Sequence, residues 1–142
     1  MTNPQEYQNP SEDQIKEILQ KYKKVAVVGL SPDETRPSNV VARCLQGKGF
    51  KIIPVNPNEN EILGEKAYPN LSAIPEKVEI VDIFRRSDQV PPIVDEAIEI
   101  GAKVIWMQEG VINRPAALKS SQNGIIVVMD KCMLKEYRKF CD

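Results

Sequence analysis

A possible anion site lies between an apolar run and the start of a predicted helix. Gly29-Leu-Ser31 follows the apolar run, and Arg36-Pro-Ser38 opens the helical segment. The free N–H groups and positive dipole end of a helix start favour phosphate, and hydroxyl and guanidinium groups add hydrogen bonds. We therefore predict a phosphate site formed by Gly29, Ser31, Arg36, Pro37 and Ser38. The alternative is that Gly29 serves a tight turn, Ser38 caps the helix and Arg36 is solvated.

The end of the second apolar run helps to separate classes of nucleotide site. Units that bind NAD commonly place Asp or Glu there to hold ribose hydroxyls, whereas this chain has Asn56-Pro57. The first turn also lacks the Gly-x-Gly-x-x-Gly pattern. Asn56 and Pro57 are predicted to contact a nucleotide, and NADP stays possible because no acid would repel its extra phosphate. The alternative for this pair is an Asx turn before proline.

The third and fourth apolar runs also end in residues suited to a ligand. Phe84, Arg85 and Arg86 place two guanidinium groups beside an aromatic ring, which suits phosphate neutralisation or stacking on a base. Gln108 and Gly110 follow the fourth run, where a glycine lets a ligand approach. We predict all five as binding residues. Solvated arginines in a helix-entry loop are the alternative for the third run.

Residues for catalysis are scarce. The chain has no histidine, which excludes Ser-His-Asp triads, Cys-His dyads and histidine metal sites. Cys44, Cys132 and Cys141 have no evident base partner, and their odd number and wide spacing predict reduced thiols in the cytoplasm. Asp82 lies inside the third run without a second carboxylate. A non-catalytic binding protein fits this inventory better than an enzyme does.

The elements that must position these residues follow from hydrophobic patterning. Apolar, β-branched runs begin near residues 25, 51, 78, 104 and 125, at the spacing of strand–crossover–strand units. Most connections carry helical periodicity with proline at the start and glycine at the end. We predict an α/β fold, a doubly wound open parallel sheet of about five strands in the order 3-2-1-4-5, with helices on both faces. Pro54 fits an inner strand poorly. The ligand is expected near the switch point between the first and fourth strands.

Composition limits the remaining possibilities. Nineteen basic and twenty acidic residues give a net charge of -1 over 142 residues, which disfavours a strongly basic nucleic-acid or membrane-surface binder. No apolar run approaches the ~20 residues that span a bilayer. We predict a flexible tail over residues 1–10 and one domain over residues 11–142. A small-molecule nucleotide ligand, a cytoplasmic location and a possible homodimer complete the prediction.

Several short segments, in this order and at this spacing, resemble a known family. They include Val27-Val-Gly-Leu-Ser31, Ile53-Pro-Val-Asn-Pro57, Ile80-Val-Asp-Ile-Phe-Arg-Arg-Ser87, Trp106-Met-Gln108 and Met129-Asp-Lys-Cys132. Over about residues 12–140 the chain resembles the small stand-alone coenzyme A-binding proteins of bacteria and archaea. Those proteins are similar to the nucleotide-binding domain of the succinyl-CoA synthetase alpha subunit.

The resemblance implies a Rossmann-like fold that binds coenzyme A or an acyl-CoA without catalysis. The diphosphate would lie at the first turn, and the strand ends at Asn56 and Phe84 would flank the adenosine part. Related chains commonly read Asp-Arg-Cys and later Glu-His, where this chain has Asp130-Lys-Cys132 and Glu136-Tyr137. Two alternatives stay open on the same scaffold: an NAD(P)-dependent oxidoreductase, and a regulatory interaction module without a ligand.

Overall fold

Parallel strands alternate with helices along residues 7–141, which are the residues that this computed structural model describes. The strands are β1 (Lys24–Val28), β2 (Lys51–Val55), β3 (Glu61–Ile62), β4 (Glu65–Lys66), β5 (Ile80–Ile83), β6 (Val104–Met107) and β7 (Ile126–Val128). The α-helices are α1 (Glu12–Lys21), α2 (Pro37–Gly47), α3 (Val90–Glu99), α4 (Arg114–Gln122) and α5 (Met133–Phe140). Short 3-10 turns cover Leu71–Ala73 and Ser87–Gln89. No helix among the described residues is long and apolar enough to cross a membrane.

The core consists of two apolar layers, one on each face of the five-stranded parallel sheet. Alternate strand residues point to opposite faces, so Val25 and Val27 join one layer while Ala26 and Val28 join the other. Helices α1, α2 and α5 cover the first face, and α3 and α4 cover the second. The predicted Rossmann-like, doubly wound parallel sheet with helices on both faces is therefore confirmed.

The lateral order of the strands corrects one detail of the prediction. The sheet runs β2-β1-β5-β6-β7, so the five long strands stand in chain order 2-1-3-4-5 rather than 3-2-1-4-5. β5 pairs with β1 on the side away from β2, with Val25 opposite Ile80. The switch point accordingly lies between β1 and β5, which are the first and third long strands.

Pro54 gives the physical reason for this order. Proline has no N–H to donate to a sheet ladder and is confined to edges, bulges and strand ends. On the outer side of β2, Tyr68 N donates to Pro54 O at 3.0 Å and Asn56 N donates to Tyr68 O at 2.9 Å. The long connection after β2 thus covers this edge with an irregular segment, and a further strand does not pair there.

Local signals set the helix boundaries. Ser11 and Gln14 form a capping box at the start of α1, with Gln14 N donating to Ser11 Oγ at 3.2 Å and Ser11 N donating to Gln14 Oε1 at 2.9 Å. Asn113 caps α4, because its Oδ1 accepts a hydrogen bond from Ala116 N. Helix α3 begins at Val90 with proline in its first turn and ends at Glu99.

The segment before α1 contacts the outer edge of β7. The Tyr7 hydroxyl donates to Val127 O and accepts from Val127 N, and the Asn9 side chain pairs in the same way with both backbone groups of Met129. Two side chains therefore satisfy the backbone groups of alternate residues on this edge. The rest of the predicted flexible tail, residues 1–6, lies outside the described residues.

Candidate functional site

A cleft of about 610 Å³ opens at the carboxyl ends of β1, β5 and β6. Every predicted site residue except Asn56 and Pro57 lines it; these are Gly29, Ser31, Arg36, Pro37, Ser38, Phe84, Arg85, Arg86, Gln108 and Gly110. The strand ends of a doubly wound sheet thus converge on one concave surface, at the place where such sheets bind ligands.

Gly29 brings the ends of β1 and β5 into close contact. Its φ is +88°, and a Cβ built on it would lie 2.3 Å from Phe84 O. Only glycine satisfies both conditions without displacing the backbone. Phe84 N donates to Val28 O at 2.9 Å, so the approach continues the ladder of the sheet. The result is a narrow junction beneath the start of α2.

The loop from Ser31 to Arg36 is held by its own side chains. Ser38 Oγ accepts from Ser31 N at 3.0 Å, and Ser31 Oγ accepts from Asp33 N at 3.1 Å. Asn39 Nδ2 donates to Ser31 O at 2.8 Å from its buried position in α2. Ser38 therefore braces the loop as well as lining the cleft, and its hydroxyl hydrogen is free to donate to a ligand.

The start of α2 leaves a donor available. Arg36 occupies the N-cap without a side-chain cap, and Pro37 has no N–H. Asn39 N and Val40 N both donate to Arg36 O, whereas Ser38 N donates to no residue in the described part of the chain. The free amide and the helix dipole give this end of the cleft a positive potential.

Guanidinium groups add formal charge at the same end. Arg36 is exposed and Arg85 is half-buried, and neither lies within 4.0 Å of a carboxylate among residues 7–141. Arg86 Nε lies 3.5 Å from Asp88 Oδ1, but both side chains are largely exposed, so this pair is weak. Glu109, the acid that lines the cleft, is paired with Lys135 at 2.8 Å. The balance of charge favours an anionic group.

The far rim of the cleft is formed by the connection after β6. Gly110 has a φ of +83°, and its N–H donates to Asp130 Oδ1 at 2.7 Å. Ser87 Oγ accepts from Ile112 N at 2.9 Å, and Asn113 Nδ2 donates to Ser87 O at 3.0 Å. Ser87 therefore links the end of β5 to the rim.

A buried polar pair lies below the cleft. Gln108 Nε2 donates to Asp82 Oδ1 at 2.9 Å and to Oδ2 at 3.1 Å. Burial raises the pKa of Asp82 to about 7, against a smaller lowering by the Gln108 hydrogen bond. Cys132 lines the cleft nearby; burial raises the pKa of its thiol, and the negative charges of Asp82 and Glu109 add to that effect.

Asn56 and Pro57 lie outside the cleft. Asn56 Nδ2 donates to Leu30 O at 3.0 Å, and Asn56 Oδ1 accepts from Asn58 N at 2.8 Å. The second bond is the Asx turn that was the alternative interpretation of this pair. Asn56 thus supports the β1–α2 loop from behind, and the structure gives it no place on the cleft surface.

Four residues of the cleft were missed by the sequence-based prediction: Val41, Glu109, Val111 and Cys132. Glu109 and Val111 flank the predicted Gly110, so their chain position was a usable signal. Cys132 follows the end of β7 and begins α5, and strand-end position again marked it. Val41 lies one helical turn beyond Pro37, so the face that α2 turns to the cleft would have indicated it.

Comparison with known proteins gives a consistent result. A family model described as CoA binding domain matches residues 23–138. An uncharacterized protein of Bacillus subtilis, YneT, is 45% identical over 126 residues, covering 89% of this chain and 93% of that protein. The solved structure of a hypothetical protein from Pyrococcus horikoshii superposes with a TM-score of 0.91 at 37% identity, with 100% of both chains covered.

A larger protein is also similar in part. Acetate–CoA ligase [ADP-forming] I of Archaeoglobus fulgidus is 29% identical over 121 residues, which cover 78% of this chain and 18% of the ligase. The similarity therefore concerns one segment of that enzyme.

Proposed function

Because the chain belongs to the CoA binding domain family, we propose that it binds coenzyme A or an acyl-CoA in this cleft without catalysing a reaction. The observation that carries the proposal is the junction at Gly29. It brings a helix start with a free Ser38 N–H together with Arg36 and Arg85, neither of which lies within 4.0 Å of a carboxylate in the described range. A diphosphate is the group that such an arrangement suits.

The size of the cleft supports a ligand as large as a nucleotide. Small-molecule and cofactor sites commonly enclose about 300–1,000 Å³, and this cleft measures about 610 Å³. Its lining divides into cationic side chains, those of Arg36, Arg85 and Arg86, and apolar ones, which include Val41, Phe84 and Val111. Coenzyme A has the matching division into a polyanionic nucleotide and a neutral pantetheine arm.

The non-catalytic part of the proposal rests on the chemistry of the cleft residues. A nucleophilic cysteine needs a lowered pKa and a neighbouring base. Burial has the opposite effect on the pKa of Cys132 and keeps its thiol protonated. The chain also has no histidine to act as a base. These features favour holding a ligand over transforming it.

The cellular setting is proposed on the same grounds. Cys44, Cys132 and Cys141 are free thiols in the structure. Free thiols are usual in reducing compartments. We therefore propose a cytoplasmic location, a small-molecule nucleotide as the partner, and a homodimer as the assembly.

Isothermal titration calorimetry of the full chain with coenzyme A, acetyl-CoA and NADPH tests the proposal. We expect binding of a coenzyme A ligand that weakens as salt is raised, because the phosphate contacts are partly exposed. Arg36→Ala and Arg85→Ala should each weaken binding by roughly 1–3 kcal/mol if each arginine makes a charged hydrogen bond. Arg138→Ala, at the far end of α5, is the matched control and should bind normally.

Two results would contradict the proposal. Binding of NADPH but not of either coenzyme A ligand would favour the oxidoreductase alternative. A melting temperature that no nucleotide raises would favour a module without a ligand, because any ligand specific for the native state must stabilise it.

A further inference from the structure

The outer edge of β7 presents the hydrogen-bonding pattern that a further strand would use. In a strand, the backbone groups of alternate residues point to the same side. Val127 and Met129 both point away from β6, because their N–H and C=O groups bond the side chains of Tyr7 and Asn9. An edge with outward-facing backbone groups at this spacing is a template for pairing with another strand.

Residues 7–10, here called the edge strap, cover this edge through side chains. Two hydrogen bonds come from the Tyr7 hydroxyl and two from the Asn9 amide. Burial raises the pKa of Tyr7, which agrees with a hydroxyl seated against the protein. Within residues 7–141, no backbone group of the strap bonds β7. The strap can therefore leave the edge without breaking a sheet ladder or a helix.

A small hollow beside the same edge lies next to α1. It measures about 110 Å³ and is lined by Gln14, Glu17, Ile18, Lys21, Tyr22 and Ile126. The Ile126 side chain is 40% exposed there, and no strap residue lines the hollow. An exposed branched side chain next to a strand edge and a hollow suits contact with another protein surface.

The charges around this hollow match a second copy of the same chain. Glu17 and Lys21 stand one helical turn apart on α1, and neither lies within 4.0 Å of an opposite charge in the described part of the chain. A two-fold axis at the β7 edge sets α1 beside the α1 of the second copy, in the opposite direction. Glu17 of each copy then faces Lys21 of the other. Such reciprocity is the property of an isologous interface, and it favours a second copy over an unrelated peptide.

We propose that the β7 edge is a dimerisation surface, which the edge strap masks in the single chain and which pairs antiparallel with β7 of a second copy once both straps have detached. The inference deepens the homodimer of the proposed function and rests on it. Pairing centred on Val127 brings Ile126 of each copy opposite Val128 of the other, on the face that α1 covers. The other edge of the sheet, along β2, is covered by Tyr68, so the pairing stops at two copies.

Sedimentation equilibrium of the full chain at several concentrations tests the strap. The double variant Tyr7→Phe/Asn9→Ala removes all four hydrogen bonds of the strap. Its dimer dissociation constant should be about 100-fold or more below that of the wild type, because both copies then open their edges at a smaller cost. Gln8→Ala is the matched control. The exposed Gln8 side chain bonds no residue that the structure describes, so this variant should associate as the wild type does.

Ile126→Lys, added to the double variant, locates the contact. The exposed position accepts a lysine in the single chain, but pairing brings the two lysines close to the two-fold axis, where they repel each other. The triple variant should therefore return to a monomer. Amide hydrogen exchange of the double variant gives a second measurement. The Val127 amide should be protected increasingly as the protein concentration rises, because it then bonds the second copy.

Several outcomes would overturn the inference. These are a double variant that associates as the wild type does, a dimer that Ile126→Lys leaves intact, and association beyond two copies. If circular dichroism shows that the double variant is unfolded, Tyr7→Phe and Asn9→Ala are measured singly, and each should tighten the dimer by about 10-fold. Unchanged association of both single variants would again contradict the masking role of the strap.

Coenzyme A titration keeps this inference apart from the binding part of the proposed function. Ile126 lies outside the cleft, so Ile126→Lys and the wild type should bind coenzyme A with equal affinity. A wild type that binds no coenzyme A ligand would overturn the binding proposal, whereas a double variant that still dimerises through Ile126 would leave the role of the β7 edge in place.

Discussion

Replacing Gly29 by alanine should separate two physical effects that meet at the cleft. A side chain at this position must accept a φ of +88°, and its Cβ must fit where Phe84 O lies only 2.3 Å away. Left-handed backbone costs a residue with a Cβ roughly 1–2 kcal/mol. Crowding of a well-packed site adds roughly 1–3 kcal/mol, because the obstructing atom is backbone and cannot rotate away. We expect Gly29→Ala to lower the free energy of unfolding by about 2–5 kcal/mol.

Gly124→Ala is the matched control for the backbone effect. Gly124 has a φ of +78° after α4, and a Cβ there meets no atom within 4 Å. It should therefore lose only the conformational part, about 1–2 kcal/mol. The difference between the two variants measures the contact with Phe84 O.

Urea denaturation gives the two free energies, and coenzyme A titration gives the functional effect. Relief of the contact requires the ends of β1 and β5 to move apart, which displaces the helix start from the arginine side chains. Displacements near 1 Å can cost on the order of 100-fold where several groups must converge, so Gly29→Ala should bind coenzyme A much more weakly than Gly124→Ala. Equal stabilities and equal affinities for the two variants would refute the argument.

Two further predictions concern stability. Asp82 retains its proton up to a pH of about 7 in the native state but loses it near 3.8 when unfolded, so the wild type binds more protons when folded and its stability falls as pH rises between those values. Asp82→Asn removes this effect. In urea denaturation at pH 4 and pH 8, the free energy of unfolding of the variant relative to the wild type should increase with pH, by at most about 4 kcal/mol. The same difference at both values of pH would contradict the prediction. Tyr7→Phe removes the hydroxyl that donates to Val127 O at the edge of β7. The free energy of unfolding should fall by about 1 kcal/mol, and the amide hydrogen of Val127 should exchange faster with solvent. Unchanged exchange would show that Tyr7 does not protect this edge.

The strands and helices could be predicted because local signals set them. Continuous Val and Ile runs are typical of strands covered on both faces, and the Ser11 and Asn113 caps mark helix starts. The lateral order of the strands could not be predicted in the same way. The spacing of the apolar runs along the chain does not show which side of β1 the third long strand joins. Pro54 indicated the answer. Because proline has no N–H to donate, it fits a strand whose outer side is not paired with a further strand, as is the case for β2.

The site could be predicted to the level of strand ends but not of side-chain direction. Gly29 and Phe84 were found because β1 and β5 end at one edge of the sheet. Asn56 ends β2 at the same edge, but its amide reaches Leu30 O and Asn58 N instead of the cleft. A sequence shows that an amide is near a site and leaves open whether it serves the ligand or the loop.

The corrected strand order explains this division between Asn56 and Gln108. With the switch point between β1 and β5, the flanking strands are β2 on one side and β6 on the other. The β1–α2 loop folds over the β2 side, so the Asn56 amide is used to hold Leu30 O. On the β6 side, the Gln108 amide is held from below by Asp82, and its oxygen stays open. The same side-chain group therefore supports the loop at one strand end and faces the cleft at the other, because the sheet leaves only one side of the switch point uncovered.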